Sequence, residues 1–174
     1  MFIMKLLGKL IKALRSNAAP GQIAGGVVLG MFLGLTPLMA LHNMIIVLLL
    51  IILNVNLSMA IFGFLLFSGF AYLLDPLFHS IGFYLLADTP LLRGLWTEMY
   101  NIPVIAISGF NNTVVMGSFV SAIILSYPLF LFMKWFVVYY RENLETRIQK
   151  MKIVQFLKGS KIYGLYTKIS TMGE

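Results

Sequence analysis

Between Ser16 and Tyr140 the chain carries only five formally charged side chains, Asp75, Asp88, Arg93, Glu98 and Lys134, while eleven Lys and Arg residues crowd its two ends. A chain that is 60% hydrophobic and 11% charged falls far short of the roughly one-quarter charged content of water-soluble domains. Its central 120 or so residues therefore predict an all-α, polytopic integral membrane protein. The sequence divides into an interfacial amphipathic helix at 1–16, a single membrane domain at 17–140 and a basic amphipathic tail at 141–174.

Lys and Arg flanking membrane spans are retained on the cytoplasmic side. Lys5, Lys9, Lys12 and Arg15 precede the first apolar run with no acid among them, and seven cations against three Glu follow the last. Both termini read as cytoplasmic, with Asp75 to Asn112 as the external interval. Lys5, Lys9 and Lys12 fall on one stripe of a helix otherwise built from Leu, Ile and Phe, and with Arg15 they are expected to contact anionic lipid. A Lys at every third or fourth position leaves no apolar core for a secretory signal. The net charge of +7 flanks spans instead of lining a polar face, so nucleic acid is not expected as a partner.

Two apolar runs, Gln22–Leu35 and Leu38–Leu53, are separated by Thr36-Pro37. At about 1.5 Å per residue the first run is on the order of 21 Å long, well short of the ~30 Å hydrocarbon core. The two runs form either a pair of short spans in thinned bilayer or a re-entrant hairpin. Oxygen-bearing residues before proline predict helix starts at Pro37, Pro76 and Pro90. The span beginning at Leu57 then ends at Leu74, and two short outer helices follow at Pro76–Ala87 and Pro90–Tyr100. Val114–Tyr140, interrupted by Pro128, returns the chain inward. Val27–Phe32 is echoed faintly by Val114–Phe119.

Gly26, Gly30 and Gly34 make a smooth helix face, suited to close packing on a helix such as Leu38–Leu53, on a second copy in a homodimer, or on another protein. Thr36, His42 and Asn43 are the polar groups near the helix break, a candidate polar site. Asp75 and His79, one turn apart, are further ionisable groups; a membrane enzyme acting on lipid would need them to converge with His42. No cysteine is present, and neither metal-ligand spacing nor a nucleophile with its base is apparent, so no cofactor, metal or catalytic residue is expected.

Pro20, Gly26, Gly30, Phe32, Gly34 and Pro37, followed by Asn54 or Asn56 after the second run, resemble the bacterial membrane family catalogued as domain of unknown function 2062. Asp75-Pro76-Leu77 and Gly82 resemble that family's later Asn-Pro break and glycine. The Leu38–His42 segment departs from a usual Gly-Gln step, and the C-terminal third differs. The resemblance is to the short branch encoded beside a larger envelope-anchored protein, and it implies an inner-membrane protein with a broken-helix hairpin and a protein partner. The expected function is thus a non-enzymatic inner-membrane subunit of an envelope complex, supporting lipid transport between membranes by docking a larger periplasmic partner. The alternative is a small dimeric transporter or channel for an ion or small solute, with a midplane site on broken helices.

Overall fold

The computed structural model describes residues 10–144. Lys5, Lys9 and the tail beyond Leu144 lie outside the described residues, as does most of the two expected amphipathic segments. Among the described residues the fold is entirely helical, built of α1 (Pro20–Leu35), α2 (Leu41–Ile52), α3 (Leu57–Phe83), α4 (Arg93–Tyr100), α5 (Pro103–Ile107) and α6 (Thr113–Tyr139). Two helical stretches, Leu57–Asp88 and Thr113–Asn143, are long and apolar enough to cross a membrane.

A helical segment at residues 10–14 precedes α1, with Ala13 and Leu14 buried and Lys12 exposed. Pro20 opens α1 where a missing N–H costs nothing, and the Gln22 side chain accepts a hydrogen bond from the Ala19 N–H at 2.8 Å. From α1 the chain turns through residues 36–40 and comes back along α2. By Asn56 it has returned to its starting level, since the Asn56 N–H donates to the Gln22 carbonyl at 3.0 Å. Asn56 also caps α3, its side chain accepting from the Met59 N–H at 3.1 Å. This is the cap that satisfies a first-turn donor.

α3 then runs parallel to α1 in intimate contact. A Cβ placed on Gly26 would lie 2.5 Å from the Asn56 carbonyl oxygen, one on Gly34 2.7 Å from that of Phe64, and one on Gly30 would overlap the Ala60 carbonyl. The contact is reciprocal, because a Cβ on Gly63 would lie 2.7 Å from the Val27 carbonyl oxygen. The partner of the glycine face is therefore α3, not the Leu38–Leu53 segment named from sequence. The reason is register: glycines four apart match Asn56, Ala60, Phe64 and Ser68, also four apart, along a parallel helix.

α3 makes a second crossing at its far end. A Cβ on Gly82 would collide with the Thr113 carbonyl, and one on Gly117 with that of Phe78. α6 thus starts beside the end of α3 and runs antiparallel to it, capped by Asn112, whose side chain accepts from the Val114 and Val115 N–H groups at 2.9 and 3.2 Å. The two hexapeptides that echo each other in sequence lie on oppositely directed helices, their glycines both pressed on α3, and Phe32 meets Phe119 edge-on at 6.1 Å.

Two sequence expectations are corrected. α3 passes straight through Asp75-Pro76 and ends at Phe83; proline forfeits one helical hydrogen bond, and the packing of Phe78 and Gly82 on α6 offsets that loss. Pro76 therefore opens no new helix. Likewise the second helix starts at Leu41, with Ala40 as its N-cap, because Pro37 to Ala40 form a turn closed by the Ala40 N–H on the Pro37 carbonyl at 3.0 Å. The Thr89-Pro90 start does hold, as a 3-10 turn at Pro90–Leu92 leading into α4. This short outer segment is tied to the π-helical turn Tyr84–Asp88 that follows α3 by the Trp96 indole N–H, which donates to the Leu85 carbonyl at 2.9 Å. Gly109, at φ 72°, provides the left-handed turn before α6 that other residues adopt reluctantly.

Residues 136–144 fall in a second compact unit. There the Phe136 and Tyr140 rings lie 6.5 Å apart, and a π-helical turn spans Tyr140–Leu144.

The glycines divide into those that touch backbone and those that do not. Gly30→Ala is expected to destabilise the fold by about 1–3 kcal/mol through overpacking. Gly69→Ala, where a Cβ meets nothing within 4 Å, should be neutral or stabilise by up to about 1 kcal/mol. Thermal unfolding of the two variants in one detergent checks the contrast.

Candidate functional site

The polar groups singled out from sequence separate into two sets at the α1–α2 tip. Thr36 and Asn43 are both buried, at 4% and 5% exposure. The Thr36 hydroxyl lies 2.7 Å from the Phe32 carbonyl oxygen and 2.9 Å from the Asn43 Oδ1, sharing its one proton between two acceptors. Asn43 Nδ2 donates to the Pro37 carbonyl at 2.9 Å and sits 3.4 Å from that of Leu38. Asn43 thus accepts from one side of the turn and donates to the other, satisfying carbonyls that the break from helix had released. These two residues knot the turn together; they do not project into a cleft.

His42 stands apart from that knot. Its ring is 4.7 Å from that of Phe119, six residues into α6, or roughly 9 Å from that helix's start at the α-helical rise. Its Nε2 is buried without a hydrogen-bond partner. His79 lies against α6 as well, with Nδ1 2.7 Å from the Thr113 hydroxyl and its ring 6.1 Å from Phe83. Asp75 is half-buried and bonds to none of these. No hydrogen bond or ring contact joins His42 to Asp75 or His79, and no group of three potential metal ligands occurs among the described residues.

Two open clefts lie elsewhere. One, at the start of α1 and α3, is lined by Ala18, Gln22 and residues 54–58. The other, beneath the outer segment, is lined by Leu86, Trp96, Thr97, Tyr100, Asn101, Phe110 and Asn111. Thr36, His42 and Asn43 line neither. Gly26, Gly30 and Gly34 are consumed by α3, as described above. Lys12, within the 10–14 helical segment, and Arg15, just after it, are exposed. The helix caps Asn56 and Asn112 were not assigned from sequence; an Asn directly before an apolar helical run is the signal that marks them.

The fold and the tip define a helical protein assembled by glycine crossings, with two helices of membrane-spanning length. The chain belongs to the bacterial family described as "Uncharacterized protein conserved in bacteria (DUF2062)", whose model matches residues 5–145. It is also 23% identical over 151 residues to an uncharacterized protein of Treponema pallidum (strain Nichols), a match covering 87% of this chain and 93% of that one. No solved structure matches.

The two polar sets predict opposite responses to substitution. Asn43→Leu removes the partner of Thr36 and of two turn carbonyls, and is expected to cost roughly 1–3 kcal/mol. His42→Phe retains the ring contact with Phe119 while removing the orphaned nitrogen, and should leave stability within about 0.5 kcal/mol or raise it. Thermal melts followed by tryptophan fluorescence or by aggregation check both.

Proposed function

We propose that this protein is an integral, non-enzymatic subunit of the bacterial inner membrane that docks a larger periplasmic protein and supports the movement of lipid between membranes. In this reading α3 and α6 cross the bilayer, both termini are cytoplasmic, and the α1–α2 pair enters from the cytoplasmic side and turns back. Lys12 and Arg15, with Lys5 and Lys9, hold the anionic inner leaflet.

The observation that carries the scaffold role is the knot of Thr36 and Asn43. Irregular backbone inside hydrocarbon is tolerated only where its polar groups are satisfied within the protein, and Asn43 does this for the turn that ends α1. The hairpin length supports re-entry. Sixteen residues of α1 extend about 24 Å and twelve residues of α2 about 18 Å, against a hydrocarbon core of ~30 Å. The lipid element draws support from α2, whose Met44, Ile45, Leu48, Ile51 and Ile52 are all more than half exposed. A short helix with an apolar outer face favours a locally thinned bilayer.

A small transporter is the second reading, favoured by one observation, the buried Nε2 of His42 without a partner. Polar groups at broken helices form substrate sites in such proteins.

Extraction of the native protein into polymer-bounded membrane discs, followed by mass spectrometry of bound proteins and lipids, separates the two. The subunit reading expects a stoichiometric protein with a large periplasmic portion. Recovery of the chain alone, as monomer or dimer, with saturable solute flux in proteoliposomes that His42→Ala abolishes, would establish the transporter in its place.

A further inference from the structure

α3 is apolar along nearly its whole length, yet its polar side chains beyond the first turn are not scattered. Ser68, Tyr72, Asp75 and His79 follow one another at spacings of four, three and four, and Leu65 extends the series by three. Alternating steps of three and four trace a single seam down one side of a helix, the pattern by which one helix receives another. The remaining polar residue of this region, Ser80, is turned inward on its own backbone, its hydroxyl donating to the Pro76 carbonyl at 2.9 Å.

This seam runs beside the glycine face and meets it at Ser68, whose backbone N would lie 2.9 Å from a Cβ on Gly34. α1 covers the side of α3 that bears Ala60 and Gly63, and α6 covers Phe78 and Gly82. Tyr72 is 85% exposed and Leu65 41%; Ser68 and Asp75 are half-buried and His79 is exposed. Among the described residues His79 alone of the seam's polar groups has a hydrogen-bond partner, Thr113 on α6; Ser68, the Tyr72 hydroxyl and Asp75 make no hydrogen bond or ion pair with any described residue. Asp75 is no longer explained as a helix cap, because α3 continues through it.

Neither of the two cations described between Ser16 and Tyr140 answers this carboxylate. Arg93 donates to the Ala87 carbonyl at 3.3 Å, and Lys134 lies 21 residues along α6 from the Thr113 that contacts His79. An acid inside an apolar span faces a partner or a water-filled cavity. A second copy of this chain is a poor occupant, since a two-fold axis along the seam brings Asp75 toward its own image.

We propose that the Leu65–His79 seam is an intramembrane docking face for a helix of a different protein, one that carries a Lys or Arg level with Asp75. The inference rests on the membrane-subunit reading and adds where, and by what chemistry, the partner is held. The cation pairs with Asp75, the exposed ring of Tyr72 presents its face to the same charge, and Leu65 and Ser68 seat the neighbouring turn.

The test uses the full chain in its own membrane, with a photo-crosslinking amino acid at Tyr72 and, separately, at Ile51 on α2 and Leu91 on the outer segment. The seam predicts a discrete protein adduct from Tyr72 and none from Ile51. Mass spectrometry should map that adduct to a membrane helix bearing Lys or Arg within one turn of the joined residue. Asp75→Lys should reduce the adduct about tenfold or more, and replacing the partner's cation by Asp should restore it. Asp75→Asn, which removes the charge without inserting a cation, is the control for folding and should reduce the adduct less.

A second copy captured at Tyr72 would overturn the proposal, as would an adduct unchanged by Asp75→Lys. Adducts from Leu91 with none from Tyr72 would overturn the seam while leaving the subunit reading standing. The absence of protein adducts from all three positions in a stably folded chain would count against both.

Discussion

Backbone resting on backbone is the constraint from which this structure follows. In hydrocarbon, apolar side chains gain little by meeting one another, because lipid is an equally good neighbour; close approach of main chains, with its dispersion and weak C–H···O contacts, holds helices together instead. Gly26, Gly30 and Gly34 bring α1 onto α3 over Asn56, Ala60, Phe64 and Ser68, while Gly82 and Gly117 bring α6 onto the opposite end. α3 is thereby gripped at both ends by helices of opposite direction. That arrangement fixes the position of the hairpin tip against α6, where His42 meets Phe119.

The polar groups serve this scaffold in graded ways. Asn56 and Asn112 cap the two long helices, and Asn43 with Thr36 closes the turn between the two short ones. Each answers a backbone need created by a change of direction. Among the described residues the groups left over include the His42 nitrogen inside the bundle and the Ser68, Tyr72 and Asp75 side chains along α3. These are the places where the chain carries a polar cost without an internal return, and the proposals for function concentrate there.

Much of this was legible in the sequence, for reasons that vary by residue. The apolar runs gave the helices, because period and length are local properties, and Thr113–Tyr139 falls within a residue of its expected bounds at either end. The four-residue glycine spacing announced close packing, but not its partner. Choosing α3 over α2 depends on parallel register between segments some thirty residues apart, which no local pattern encodes. Proline was over-read for the same reason. At Pro90 the local signal prevailed, whereas at Pro76 the contacts of Phe78 and Gly82 carried the helix through, and at Pro37 the Asn43 side chain held a turn open for four more residues. The Thr36-to-Asn43 pair was legible as a polar pair near a break; its inward, structural use required the fold. The seam on α3 was hidden by the assumption that Asp75 ended a helix.

In the proposed topology a short hairpin, held by glycines to α3, turns back before it reaches the far side of the membrane. The chain contains no cysteine, so single cysteines can be placed at Met39, Asn54 and Asn111 and probed in sealed, oriented vesicles with a membrane-impermeant maleimide added to one side at a time. The expected outcome is labelling of the Asn54 position from the cytoplasmic side, of the Asn111 position from the periplasmic side, and of the Met39 position from neither. Labelling of Met39→Cys from the periplasmic side would show that the hairpin crosses, and labelling of the Asn54 and Asn111 positions from the same side would contradict the membrane topology altogether.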